Sequence, residues 1–154
     1  MTDRSGKARI GVLGGGAWGT ALAAAACKAG SGAVIWARDA ATVAAINGEH
    51  RNSRYLPDID LPEDLVATDD PARACDADAV LLVVPAQQLG STLDLVRPAW
   101  KAGVPAVICA KGIERHTDRM MSAVVRDGLG DDVPVAVLSG PTFAAEVARG
   151  LPAA

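Results

Sequence analysis

The chain has 154 residues, half of them hydrophobic and 21% charged, with a net charge of −3. This composition fits one folded globular domain with a sizeable core and excludes a disordered chain. With no Lys/Arg run, it also argues against a nucleic-acid surface or a basic membrane patch, while a small phosphorylated ligand needs only one or two local cations and some backbone amides. No apolar stretch reaches the length of about 20 residues that spans a bilayer. The opening Met1-Thr2-Asp3-Arg4-Ser5-Gly6-Lys7 carries no hydrophobic signal segment, so the expected location is cytoplasmic.

Short branched runs alternate with Ala-rich periodic stretches along the whole chain, the pattern of repeated strand–helix units around a parallel sheet. The first strand is expected at Arg9 to Leu13, followed by Gly14-Gly15-Gly16-Ala17-Trp18-Gly19 and a helix over Trp18 to Ala29. G-x-G-x-x-G after a strand and opening a helix is the dinucleotide-binding fingerprint in its required context. Gly14 permits the tight turn, Gly16 lets a pyrophosphate approach the backbone, and Gly19 lets the helix lie close on the sheet. The free amides and positive end of that helix then face the phosphates. Trp18 is either a core aromatic on the first helical turn or a wall of the dinucleotide groove, and its place in the loop favours the groove.

The second strand, Ala33 to Ala37, ends at Arg38-Asp39, where an NAD-specific fold usually presents a carboxylate to the ribose 2′-hydroxyl. Arg38 comes first here, and a guanidinium at that point pairs with a 2′-phosphate, which favours NADP(H), with NAD(H) as the second choice. Asp39 is expected as the N-cap of a helix over Ala40 to Asn47. Gly48 to Pro62 follows neither period and is expected as a long functional loop. A weak strand at Val66 to Thr68 and a helix at Pro71 to Cys75 come next. The run Ala79 to Val84 is apolar on both faces and is expected at the centre of the sheet. A helix from Gln88 to Trp100 leads to a strand at Ala106 to Ala110.

That strand delivers Lys111-Gly112-Ile113-Glu114 to its carboxyl end, the edge at which open α/β sheets bind ligands. Lys111 is thereby placed for a phosphate, carbonyl or hydroxyl oxygen, against the plainer reading of a solvated lysine. A helix over Thr117 to Asp127 and a strand over Pro134 to Ser139 are expected beyond it. The latter ends in Ser139-Gly140-Pro141-Thr142-Phe143, which brings amides and a hydroxyl to the same edge, before a last helix at Phe143 to Arg149. The fold class is therefore α/β, a Rossmann-type doubly wound and mainly parallel sheet with helices on both faces. Cys27, Cys75 and Cys109 lie outside any Cys-x-x-Cys spacing and are expected as buried small hydrophobes. With only His50 and His116 as imidazoles, no metal site is expected.

Four strings occur in order: Gly14 to Leu22, Asn52-Ser53-Arg54-Tyr55-Leu56-Pro57, Lys111-Gly112-Ile113-Glu114, and Leu138-Ser139-Gly140-Pro141-Thr142-Phe143-Ala144-Ala145-Glu146. Together they resemble the amino-terminal domain of bacterial NAD(P)-dependent glycerol-3-phosphate dehydrogenase, over nearly the whole chain. The resemblance implies reversible hydride transfer between NAD(P)H and dihydroxyacetone phosphate, giving sn-glycerol 3-phosphate for phospholipid synthesis. It implies cofactor contacts at Ala17, Trp18, Arg38, Tyr55 and Ala144. Lys111 would touch both cofactor and substrate, and Gly140 and Thr142 would touch the glycerol phosphate; among the cations present, Lys111 is the catalytic candidate to stabilise the developing alkoxide. It also implies a single NAD(P)-binding domain over residues 1–154, with the helical carboxyl-terminal substrate domain absent from this chain and the fragment inactive alone. A homodimer of the full-length enzyme stays open. The rivals are a related two-domain enzyme, such as a ketopantoate or 3-hydroxy-acid dehydrogenase, and a free-standing dinucleotide module without chemistry.

Overall fold

The computed structural model describes residues 6–152; the first five residues, part of the opening without an apolar segment, and the last two lie outside the described residues. Six parallel strands form the sheet: β1 (Arg9–Leu13), β2 (Gly32–Trp36), β3 (Val66–Thr68), β4 (Ala79–Leu82), β5 (Ala106–Ile108) and β8 (Val135–Val137). Their order is β3-β2-β1-β4-β5-β8. The chain winds outward from β1 in one direction and then from β4 in the other, so the order reverses between these two strands. In a doubly wound sheet the crevice beyond the carboxyl ends at that reversal is where a ligand fits.

Alternation along the strands explains why both faces are covered. Val12 and Ile35 point into one apolar cluster, while their neighbours Leu13 and Trp36 point into the other. The first face is covered by α1 (Ala17–Lys28), α2 (Ala40–Glu49) and α6 (Ala144–Arg149), and the second by α3 (Pro71–Cys75), α4 (Leu89–Val96) and α5 (Met121–Leu129). Ala21, Ala23 and Ala24 are fully buried on α1, and these small side chains let the helix sit close on the strands. Cys27, Cys75 and Cys109 are buried free thiols, as expected, and burial pushes each up to about 11. Among the described residues no helix is long and apolar enough to cross a membrane.

The central placement of β4 is as expected, although the strand stops at Leu82 rather than Val84. Shifts of one or two residues also occur at the ends of β2, β5, β8, α1, α2 and α6. Two expected helices need larger correction. The run from Gln88 to Trp100 is three pieces, a 3-10 turn at Ala86–Gln88, α4, and a second 3-10 turn at Arg97–Ala99. Pro98 has no amide to continue the α-helical ladder, which accounts for the second break.

Residues 117–120 are not helical at all: β6 (Ile113–Glu114) and β7 (Arg119–Met120) form an antiparallel hairpin, and α5 starts only at Met121. The Glu114 carboxylate accepts from the Thr117 amide at 2.9 Å and from its hydroxyl, and Asp118 takes a left-handed φ of 53°. These features close the turn against helix formation. The loop after α2 is long, as expected, but it also contributes to the core, because Leu56, Ile59 and Leu61 are buried in the face under α1 and α2.

Candidate functional site

The glycine loop sits at the reversal between β1 and β4, and each glycine there has its own physical requirement. Gly14 has φ +130°, and a Cβ on it would lie 2.9 Å from the Val83 carbonyl carbon. At Gly19 a Cβ would come within 1.8 Å of the Gly14 carbonyl oxygen, so the first turn of α1 can rest on the loop only without a side chain. Gly15, a variable position in the fingerprint, is also constrained: its Cβ would meet Ala37 Cβ at 2.4 Å. Gly16 is different. A Cβ there meets no protein atom within 4 Å, so the packing does not demand glycine; a side chain would instead enter the open cleft.

Gly16 caps α1 without any side-chain hydrogen bond, leaving the first-turn amides available at the positive end of a 12-residue helix. The cleft in front of them measures about 570 Å³ and is walled by the glycine loop, Arg38 and Asp39 after β2, the Arg54-Tyr55 pair, and Val83 to Pro85 with Gln88 after β4. A cradle that a Cβ would fill, uncapped amides and a guanidinium at the mouth fit the pyrophosphate and ribose of a dinucleotide.

Asp39 is an N-cap, as expected. Its carboxylate accepts from the Thr42 amide at 3.2 Å and hydroxyl at 2.7 Å. The Thr42 hydroxyl holds the Asp39 carboxyl below its ordinary value, with the Thr42 and Ala41 amides and Arg54 adding to the effect and desolvation opposing it. Arg38 is exposed and donates across the cleft to Gln88 Oε1. Gln88 went unnoticed in the sequence because nothing local pairs it with a residue 50 positions earlier.

Asn52 was visible only as part of a motif, yet it is 2% exposed. Its Nδ2 donates to Gly15 O at 3.0 Å and to Thr20 Oγ1 at 2.8 Å, fastening the loop after α2 to the glycine turn. Tyr55 stands exposed beyond it, with the Arg54 guanidinium 5.2 Å over its ring.

Ala17, Trp18 and Val83 to Pro85 are shared with a second cavity of about 410 Å³, which extends along the sheet edge to Lys111, Thr142, Phe143 and Ala144. Trp18 satisfies both alternatives: it is half-buried against the core under α1 and walls both cavities. Lys111 Nζ donates to Gly140 O at 3.1 Å, so the strand ends of β5 and β8 bring together the lysine and the Gly140-Thr142 turn expected at this edge. Gly112, at φ +130°, turns the chain away immediately after Lys111. Two adjoining cavities with a shared wall thus lie along the sheet edge, one reaching Arg38 past the glycine loop and the other reaching Lys111.

The sequence profile of the family described as "NAD-dependent glycerol-3-phosphate dehydrogenase N-terminus" matches residues 9–154. A glycerol-3-phosphate dehydrogenase [NAD(P)+] from Paramagnetospirillum magneticum is 57% identical over 146 residues, which cover 95% of this chain and 53% of that protein. A protein of the same description from Chelativorans sp. is 53% identical, over 94% of this chain and 44% of that protein. The crystal structure of glycerol-3-phosphate dehydrogenase from Coxiella burnetii superposes with a TM-score of 0.87 at 35% identity, covering 95% of this chain and 45% of that one. The chain therefore spans about half the length of these relatives. With glycine cradle, reversed sheet and Lys111 edge in place, the chain belongs to the family of NAD-dependent glycerol-3-phosphate dehydrogenase amino-terminal domains.

Proposed function

We propose that this chain is the dinucleotide-binding half of a cytoplasmic sn-glycerol-3-phosphate dehydrogenase, which interconverts dihydroxyacetone phosphate and sn-glycerol 3-phosphate with NADP(H) and, less favourably, NAD(H). The observation that carries the reading is the pair of adjoining cavities from the glycine cradle to Lys111, because they set a dinucleotide groove beside a cation. The nicotinamide, when bound, supplies the hydride. The α1 amides and Gly16 hold the pyrophosphate, Arg38 meets the 2′-phosphate, and Ala17, Trp18 and Ala144 wall the path toward Lys111. Tyr55 closes the outer side of the groove.

Lys111 is the catalytic residue of this half. Its ammonium, steadied by the Gly140 carbonyl, stabilises negative charge developing on the substrate oxygen, while Gly140 and Thr142 offer polar groups to the glycerol phosphate. Water exclusion and the remaining phosphate contacts fall to the part of the relatives that this chain does not span, so turnover requires that part. The reading is favoured over a ketopantoate or 3-hydroxy-acid dehydrogenase by the paired Lys111-Gly140 contact together with the family match.

Calorimetric titration of this chain with NADPH and NADH tests the proposal. Saturable binding of both, tighter for NADPH, is the expected result, with no appreciable oxidation of NADPH by dihydroxyacetone phosphate. Failure to bind either nucleotide overturns the assignment, and robust turnover by the 154-residue chain means that the active site has been misplaced.

A further inference from the structure

Beyond Arg38, a second guanidinium faces the same end of the cleft. Arg54 lies at the tip of a tight turn in which the Leu56 amide donates to Asn52 O at 2.7 Å and the Tyr55 amide donates to the same oxygen at 3.1 Å. Both feet of the turn are fixed, because Leu56 is buried in the core and Asn52 is bonded to Gly15 and Thr20. Only the tip, Ser53-Arg54-Tyr55, is exposed. The Arg54 side chain is 66% exposed, stacks over Tyr55, and reaches Asp39 Oδ2 with a single contact at 3.5 Å.

The charges at this corner do not balance. Among the described residues Arg38 has a neutral partner, the Gln88 amide, and Arg54 has only the long contact to Asp39. The Asp39 oxygen in question is already taken by the amide and hydroxyl of Thr42. Two planar forks and one committed carboxylate therefore face the groove at the end of β2. A phosphate monoester has the charge and the oxygen count to satisfy such a pair, whereas a ribose diol does not. Asp39 alone would repel that phosphate, and Arg54 stands where it screens the carboxylate while supplying donors of its own.

Resting on the dinucleotide reading, we propose that Arg54 is a specificity-determining residue: the second jaw, opposite Arg38, of a clamp for a phosphate on the ribose 2′-hydroxyl. The loop after α2 is then part of the nucleotide site, and Asn52 positions it against the glycine turn.

The test compares NADPH with NADH, which differ only in that phosphate, on the full chain. Arg54→Ala is expected to weaken NADPH by about tenfold or more, in line with loss of a charge-assisted hydrogen bond, and to leave NADH within about twofold. Arg54→Lys, which keeps the charge and loses the fork, should fall between wild type and Arg54→Ala. Adding Asp39→Asn to Arg54→Ala should restore part of the NADPH affinity, because asparagine retains the helix cap without the repelling charge. Thermal melting of the two single Arg54 variants, expected to match wild type at this exposed position, separates binding from folding. Unchanged NADPH affinity, or equal weakening of both nucleotides, overturns the clamp while leaving the dinucleotide site intact. A wild-type chain that binds neither nucleotide overturns the site and the clamp together.

Discussion

Around the glycine loop every close approach is fixed from within the chain: Gly14 against Val83, Gly15 against Ala37, Gly19 against Gly14, and the neighbouring loop pinned by Asn52. Around Lys111 the surroundings are open, with one hydrogen bond to Gly140 and a rim of exposed apolar side chains, Phe143 at 71%, Val137 at 65% and Met120 at 63%. The two ends of this sheet edge thus obey different rules. At the nucleotide end, geometry follows from packing that a single substitution can break. At the lysine end the chain supplies a charge and little enclosure, so the chemistry proposed for it depends on what excludes water there.

The largest expected effect breaks the packed end. Gly19→Ala places a Cβ within 1.8 Å of a carbonyl oxygen that belongs to the same turn, so either the helix or the loop must move. A loss of about 4 kcal/mol, near the top of the range for one substitution, should appear as a lower urea midpoint with unchanged slope. Gly16→Ala sharpens the point, since its Cβ meets nothing. Stability should fall by less than about 1 kcal/mol, yet NADPH and NADH should both weaken by about tenfold, because the methyl group would enter the space proposed for the phosphates. Normal binding by Gly16→Ala would remove the cradle from the nucleotide site.

At the open end, Lys111→Met keeps the stem and deletes the charge. In a protein that carries both halves of the enzyme, kcat should drop by about 10²–10³, as when one oxyanion donor is lost. The same substitution in this chain should leave its fold and most of its NADPH affinity intact. A loss confined to KM would mean uniform binding rather than transition-state stabilisation.

Asn52→Ala should have an intermediate effect on stability, about 1–3 kcal/mol, because Gly15 O and Thr20 Oγ1 lose their donor in a buried place. If urea unfolding shows no loss, the loop is held by its buried apolar residues, Leu56, Ile59 and Leu61.

What could be read in advance follows the same division. Local patterns carried β1, the glycine turn, the Asp39 cap, the buried cysteines and the central β4, because each is set by neighbours within a few residues. Lys111 and Gly140 were expected at one edge because parallel strands deliver their carboxyl ends there. The hairpin from Ile113 to Met120 was not legible: its turn depends on the Glu114–Thr117 hydrogen bonds and a left-handed Asp118, in a stretch whose composition also suits a helix. The requirement for glycine at position 15 left no local signal, because its restraint, Ala37, comes from another strand end. Asn52 and Gln88 gain their roles from partners 37 and 50 residues away, and no periodicity reports such pairs.

The smallest expected effect concerns acid stability and again separates the two ends. The Asp39 carboxyl is held below its ordinary value of 3.8, first by the Thr42 hydroxyl, so the folded chain binds fewer protons there than the unfolded chain. Its contribution to stability is complete above that ordinary value and is lost as pH falls through the depressed one. Glu114, lowered chiefly by the Thr117 hydroxyl, acts in the same direction at the other end, within the hairpin beyond Lys111. Asp39→Asn keeps the helix cap but cannot titrate, so its stability should fall less steeply than wild type as pH drops below the ordinary carboxylate range. Glu114→Gln should flatten the same region, and the two changes should add, because the groups lie on separate elements with no shared partner. Urea midpoints measured across that range check both. If Asp39→Asn runs parallel to wild type, the carboxylate contributes no more to the α2 cap than a neutral amide does, and the acid dependence of the packed end must come from another group.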